Sequence, residues 1–430
     1  MPTVILGGGI IGAATAYYLS ETRPGGGIHV VESSSELFSS ASGYAAGFLA
    51  KDWFVPSVAS LGELSFDLHE RLAIEHGGVE KWGYMKGTAL SYGAMIKRGS
   101  GTCSDDWIDR GASRAETASG STLTTRLGAP AWLTVRPGVK VERISDVDTA
   151  QVDPLKLCRF LMDTATSRGV ELHHPAQATS LVTDENGSIT GVRIVNLASR
   201  EESTIPCTHL VICAGAWTSR IFGDLFPSAR ASIPVSPLAG YSLVLRSPRH
   251  TLEHEQHTYG NRCHAIFTSN PFSCGFSPEI FSRQGSEIYI AGLNDPDMPL
   301  PGLAEETRHL IDRGGIKTLG RVATQLMGRL EGECSGAMEI CSTDDLEVLR
   351  EGLCFRPVSD RGTPVICRVD DNLLGDKVKT SSHGGIFVAS GHGPWGISLS
   401  LGTGRVVADM VEGVRPRADV GGLGLEIQLS

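Results

Sequence analysis

The sequence predicts an α/β protein: a discontinuous Rossmann-like dinucleotide-binding domain with an inserted α+β domain built on a mostly antiparallel sheet. Three observations carry this. A β-branched run at the N-terminus enters a glycine turn and then a small-residue helix. Two further apolar runs, Leu210–Ala214 and Gly385–Ser390, also end in glycines, one in mid-chain and one near the C-terminus. Between them, residues 233–300 read mostly as β.

The first unit is the most explicit. Thr3-Val4-Ile5-Leu6 reads as a strand, Gly7-Gly8-Gly9-Ile10-Ile11-Gly12 as a tight turn and Ala13–Leu19 as a helix. Ile28-His29-Val30-Val31 is a second strand ending in Glu32, which completes a βαβ unit. Each glycine has a task. Gly7 permits the turn, Gly9 lets the backbone approach a pyrophosphate, and Gly12 lets helix and strand pack closely. The helix N-terminus offers amide donors, and Glu32 accepts hydrogen bonds from a ribose. The acid disfavours a 2′-phosphate. On this motif alone FAD and NAD both remain open.

Further along, Leu64, Leu68 and Leu72 give residues 62–76 helical spacing. Residues 97–126 are rich in Ser, Thr, Gly and Ala and are expected to be a mobile surface insertion. Asp153-Pro154 opens a helix whose buried face carries Leu157, Phe160, Leu161 and Ala165, and Arg168-Gly169 ends it. Val170–His173 and Ile189–Val195 are expected as strands around an Asn186-Gly187 turn. Tyr241–Leu245 and Glu287–Ala291 are the clearest inserted strands. Residues 303–330 and 405–411 have helical patterns.

Composition narrows the partners. The chain has 430 residues, 41% hydrophobic and 20% charged, enough for two to three domains with a large core. Thirty-eight basic against 48 acidic side chains leave a net charge of −10, which argues against nucleic acid or an anionic membrane. No apolar run is long enough to span a bilayer, and the N-terminus reads as a strand of the fold, so no cleaved signal peptide is expected. Ten scattered cysteines without a CxxC fit a reduced cytoplasmic protein.

Three more segments separate the cofactors. Ser39-Ser40-Ala41-Ser42-Gly43-Tyr44-Ala45-Ala46-Gly47 can turn backbone amides toward an extended ligand. Val211–Trp217 is a strand ending where that ligand would lie. Gly391-His392-Gly393-Pro394-Trp395-Gly396-Ile397 is a glycine turn before the last helix, and a helix start there would stabilise the charge of a reduced flavin. Nicotinamide needs none of these. The order GGGIIG, Glu32, SASGYAAG, DPLKL, ICAGAW, CFRPVSDRGTPVI, ASGHGPWGISLSLGTG resembles the FAD-dependent D-amino-acid oxidase, glycine oxidase and sarcosine oxidase superfamily. The match covers both ends and the middle. Residues 51–150 and 226–345 agree in length and β character only.

The resemblance implies an FAD-binding domain from 1–50, 151–225 and 346–430, with 51–150 and 226–345 as the substrate domain. It implies FAD contacts by Gly7, Gly9, Ile10, Ile11, Gly12, Glu32, Ser33, Ser40, Ala41, Ser42, Ala45, Ala46 and Gly47. Further contacts are expected from Ala178, Ala214, Gly215, Trp217, Cys354 and Arg356, and from the Gly391–Ile397 turn. In glycine and D-amino-acid oxidases the Arg of the F/LRP motif grips the substrate carboxylate, a role that falls to Arg356; the plain alternative is an ion pair with Asp360. Cys354 aligns without gaps to the cysteine through which sarcosine oxidases attach flavin, so the resemblance implies a covalent link there; the plain alternative is a small buried thiol. Oxidase members often place a Lys near the flavin. The matching segment Ile288–Gly292 has none, and Lys51 is the candidate by position. Tyr44, Trp53 and Trp395 are candidate cavity walls.

The implied activity is oxidation of the C–N bond of an amino acid or secondary amine to an imine, with O2 as acceptor and H2O2 as product. Catalysis would rest on positioning the substrate C–H bond against the cofactor. A dehydrogenase of the same fold and a flavin-binding regulatory protein are the alternatives. No metal is expected: His254-x-x-His257, Cys263-His264 and Cys274 have no zinc-site spacing. Of the pair His173-His174, one should face the core and one solvent.

Overall fold

The structure is a computed structural model that describes residues 1–23, 26–93, 113–118, 128–269, 271, 274–331 and 342–425. A six-stranded sheet runs in the order Val365–Val369, Gly385–Ser390, His209–Ile212, Thr3–Leu6, Ile28–Val31, Glu171–His173. All its pairings are parallel except that of Val365–Val369 with Gly385–Ser390.

The central strand Thr3–Leu6 is buried throughout, as a parallel strand covered on both faces must be. Its alternate side chains go to different cores. Ile5 packs with the helix Ile10–Thr22, and Val4 and Leu6 pack with Phe222 and Leu225 of the helix Thr218–Leu225. Against Ile10–Thr22 lies the helix Ser400–Val411. A Cβ at Gly404 would meet the Ala14 backbone and Cβ, so the two helices approach as closely as small residues allow. Asp153 caps the helix Pro154–Ser167, its carboxylate accepting from Lys156 N–H at 3.1 Å, and Gly169 follows its end at φ +99°.

The turn at Asn186-Gly187 is present, with Gly187 at φ +79°, but its hairpin partners are Ala176–Thr183 and Ile189–Asn196. Glu171–His173 belongs to the edge of the six-stranded sheet. The sequence reading missed Ala176–Thr183 because it alternates small and polar residues, with few large apolar ones to mark a strand.

The second sheet has nine strands. Its path is Glu347–Ser359, Val235–Arg246, Glu287–Asp295, Glu279–Arg283, Cys263–Thr268, Met85–Gly93, Thr149–Gln151, Phe48–Ala50, with Lys140–Ser145 also paired to Met85–Gly93. Only Cys263–Thr268 with Met85–Gly93 is parallel. The helix Arg313–Met327 covers it through Leu319, Val322 and Leu326. Glu347–Ser359 pairs along its whole length with Val235–Arg246, so it is an edge of this sheet, although the sequence grouping set it with the cofactor-binding segments. Within the insertion at 97–126 only residues 113–118 are described. Arg114 and Ala115 there are buried, against the expectation of a surface segment. No helix among the described residues is long and apolar enough to cross a membrane.

Candidate active site

The carboxyl ends of Thr3–Leu6, Ile28–Val31, His209–Ile212 and Gly385–Ser390 open on one elongated cavity, where open parallel sheets bind ligands. Gly7, at φ +111°, turns the chain there; a Cβ would stand 2.7 Å from Ala214 Cα. A Cβ at Gly12 would collide with the Gly7 carbonyl oxygen. Neither position admits a side chain, for the two reasons the motif assigns them. The helix Ile10–Thr22 starts at Gly9, leaving its first-turn amides without intrahelical acceptors. Ile10 N–H donates to Ser42 Oγ at 2.9 Å.

Glu32 is already oriented. Its Oε2 accepts from Gly8 N–H at 2.7 Å and its Oε1 from Ser34 N–H at 2.8 Å. The loop at 45–47 is clamped from the second sheet: Arg283 donates to the carbonyls of Ala45 and Ala46, and Gln151 to that of Ala46. Gly47 sits at φ +92°, where a Cβ would collide with the Val152 carbonyl.

Gly7, Gly9, Ile10, Ile11, Glu32, Ser33, Ser40, Ala41, Ser42, Ala45, Ala46 and Gly47 all line the cavity. So do Ala178, Ala214, Gly215, Trp217, Cys354, Arg356, His392, Gly393, Pro394, Gly396 and Ile397. Gly12, Gly391 and Trp395 lie behind the wall, as turn and packing residues. The Gly393–Trp395 segment is a 3₁₀ turn, and the regular helix begins only at Ser400, so the cavity meets this turn and not the helix start expected there. His392 is fully buried, with Nε2 3.0 Å from Thr403 Oγ1, and burial pushes its pKa down to about 3; the ring is neutral at physiological pH.

Arg356 is also in the lining. Its Nη1 donates to Asn294 Oδ1 at 2.7 Å, and Asp360, the alternative partner, is exposed. Gly240 makes room for the guanidinium, because a Cβ there would collide with it. Cys354, two residues back on the same strand face, is buried in the cavity wall, and burial raises its thiol pKa.

Two expected catalytic residues lie elsewhere. Lys51 is outside the lining: its ammonium is 2.9 Å from Asp67 and 3.9 Å from Glu63 on the helix Pro56–His76, and its pKa is raised by the Asp67 hydrogen bond. Tyr44, expected both as a cavity wall and as a candidate catalytic residue, has its ring packed against Gly352 under the Arg350 guanidinium, 4.8 Å from the ring centre, and is likewise outside the lining. Trp53 is core, stacked edge-on to Phe48 at 5.2 Å.

The structure adds residues the sequence reading missed. Arg114 pairs with Glu279, Nε to Oε1 at 2.9 Å plus a second contact through Nη2, and both line the cavity. Arg114 also donates to the Pro394 carbonyl at 3.3 Å and lies 4.8 Å over Trp395, so it braces the Gly393–Trp395 turn. Tyr289, also in the lining, donates to the Tyr44 carbonyl at 3.0 Å. No motif marks Arg114, Glu279 or Asn294; they meet only through sheet register and a segment read as surface.

A Rossmann-type glycine turn, an oriented ribose acid and a cavity running on to a guanidinium define a dinucleotide-dependent enzyme. The model of the FAD dependent oxidoreductase (DAO) family matches residues 3–410, and the chain belongs to that family. FAD is therefore the cofactor, and the glycine cradle with Glu32 fits it. Glycine oxidase of Geobacillus kaustophilus is 25% identical over 432 residues, covering 95% of this chain and 92% of that one. A Schizosaccharomyces pombe chain named provisionally as an oxidoreductase is 26% identical over 95% of this chain and 93% of its own length. A crystal structure of the Geobacillus kaustophilus glycine oxidase superposes with a TM-score of 0.70 at 21% identity, covering 100% of this chain and 99% of that one. L-proline dehydrogenase from P. horikoshii gives 0.70 at 14% identity, covering 98% and 96%.

Proposed function

We propose that the protein oxidises the C–N bond of a carboxylate-bearing amine, an amino acid or N-alkyl amino acid, to the imine. One observation carries this: Arg356, oriented by Asn294, faces the same cavity as the Gly393–Trp395 turn. Bound FAD supplies a two-electron acceptor for the hydride leaving the substrate α-carbon. The chain's own residues bind and orient. Arg356 takes the carboxylate through two parallel N–H donors, which fixes the position of the α-carbon along the cavity. Neutral His392 adds no charge to the cofactor side. Phe48, Phe355 and Trp217 are apolar wall that excludes water.

The segments 1–50, 151–225 and 346–430 are proposed to serve the cofactor, and 51–150 with 226–345 the substrate. The acceptor is proposed to be O2, which leaves as H2O2 after taking two electrons and two protons. A dehydrogenase reading is favoured by one observation: among the described residues, no lysine lines the cavity. A reducing, cytoplasmic location fits the free thiols of Cys158, Cys207, Cys213, Cys263, Cys354 and Cys367.

The test is an anaerobic screen of flavin reduction with glycine, sarcosine, other N-alkyl glycines, and D- and L-amino acids, run beside Arg356→Ala. Reduction by a carboxylated amine that Arg356→Ala loses supports the proposal. Reduction by no such amine, or equal reduction by the variant, contradicts it. Peroxide formed in air separates oxidase from dehydrogenase.

A further inference from the structure

The edge of the six-stranded sheet carries a group of side chains that the oxidation chemistry does not use. Glu171–His173 is the edge strand and pairs in parallel with Ile28–Val31, so that His29 stands opposite Glu171 and His173 opposite Val31. His29, Glu171 and His173 therefore project from one face of two adjacent strands. His29 Nδ1 lies 3.3 Å from His173 Nε2 and 3.5 Å from Glu171 Oε2, and His173 Nε2 lies 4.0 Å from the same carboxylate oxygen.

Two of these three separations match a tetrahedral metal's ligand shell, and the third, His173 Nε2 to Glu171 Oε2 at 4.0 Å, is wider by about half an ångström. A tetrahedral zinc ion with bonds of about 2.0–2.1 Å holds its ligand atoms roughly 3.3–3.5 Å apart. Two imidazoles and one carboxylate are a donor set suited to borderline divalent cations such as zinc, and poorly suited to magnesium or calcium, which favour all-oxygen shells. The two histidine side chains are largely shielded, with 13% and 28% of their surface exposed, whereas that of Glu171 is 59% exposed, so the ion can be reached from solvent on the carboxylate side. Among the described residues, this is the group of three His, Cys, Asp or Glu side chains whose ligand atoms come within 4.8 Å of one another.

We propose that His29, His173 and Glu171 form a binding site for a zinc-type divalent cation. Three protein ligands hold it, and a fourth position is open to water. The bound ion ties the edge strand to its neighbour next to Glu32, whose N–H donates to the His173 carbonyl at 3.0 Å. Its two histidines lie 144 residues apart in the chain, beyond the reach of any spacing rule for metal motifs.

The test uses the tag-free, chelator-treated holoprotein and zinc chloride as the probe, by isothermal titration with metal analysis after dialysis. Wild type should take up one zinc per chain in the presence of excess magnesium and melt at a higher temperature with zinc than without it. His29→Ala and His173→Ala should each weaken binding about tenfold or more. Glu171→Gln, at an exposed side chain that the fold tolerates, should weaken it too, and it keeps the proposal testable if a histidine variant misfolds. Flavin absorbance and far-UV circular dichroism monitor the fold. No stoichiometric zinc, or zinc bound equally by all three variants, overturns the proposal; the latter would place the ion elsewhere, for instance at the half-buried His254 and the exposed His257.

Discussion

Around the glycine turns the cavity is built from backbone; around Arg356 it is built from side chains. Gly7, Gly12 and Gly47 are fixed by collisions that any Cβ would make, and the groups presented are amides and one oriented carboxylate. The side-chain part of the lining comes from Arg114, Glu279, Asn294 and Arg356, with Gly240 making room for Arg356, drawn from four strands and one short turn. A cofactor held by backbone can be common to many enzymes, whereas a substrate held by side chains lets each enzyme choose its own. The first region tolerates little substitution, and the second should respond in graded steps.

The largest expected effect is at Arg114. Its side chain and that of Glu279 are 5% and 13% exposed, so Arg114→Ala leaves a carboxylate buried without its cation and frees the Gly393–Trp395 turn. Stability should fall by about 3–5 kcal/mol, read from urea unfolding, with weaker flavin retention. A loss under about 1 kcal/mol would show that the pair is not an essential brace. Arg356→Ala should leave the fold and flavin content intact yet cost about 2–5 kcal/mol in kcat/KM for a carboxylated substrate. Gly240→Ala sharpens the contrast, since the new methyl group displaces the guanidinium without removing it. A loss of about 10- to 100-fold in kcat/KM at unchanged melting temperature is expected.

Lys51→Ala should change stability by less than about 1 kcal/mol, and the rate of flavin reoxidation by O2 not at all, because its ammonium is engaged by Asp67 and Glu63 away from the cavity. Slowed reoxidation would return Lys51 to the site. The smallest effect concerns Cys354. Its buried thiol has a raised pKa and is kept from the thiolate form that attachment chemistry requires. Acid-precipitated protein should release all its yellow colour to the supernatant, and Cys354→Ser should bind FAD as wild type does.

The same contrast explains what could be read in advance. Gly7-x-Gly9-x-x-Gly12, Glu32 and the Ser40–Gly47 stretch are short and each residue type answers a local backbone demand, and Gly7, Gly9, Glu32 and most of Ser40–Gly47 line one cavity with Gly12 behind them. Arg356 was legible because it sits in a motif with its neighbours. Arg114 was not, because it lies in a Ser- and Gly-rich stretch whose composition suggests surface, and its burial depends on Glu279 and Trp395 far along the chain. Only nearness to the glycine loop points to Lys51 and Tyr44. The strand Phe48–Ala50 turns the chain into the second sheet at that point, and both side chains end outside the lining.

The central claim is that one continuous cavity places FAD at its glycine end and the Arg356 guanidinium within reach of the flavin ring. The most direct measurement is a visible-spectrum titration of the holoprotein with a non-oxidisable aromatic carboxylate, beside Arg356→Ala of equal flavin content. A saturable perturbation of the flavin bands in wild type, weakened about thirtyfold or more in the variant, is expected. Equal affinity in the two proteins, or no perturbation in either, would contradict the account.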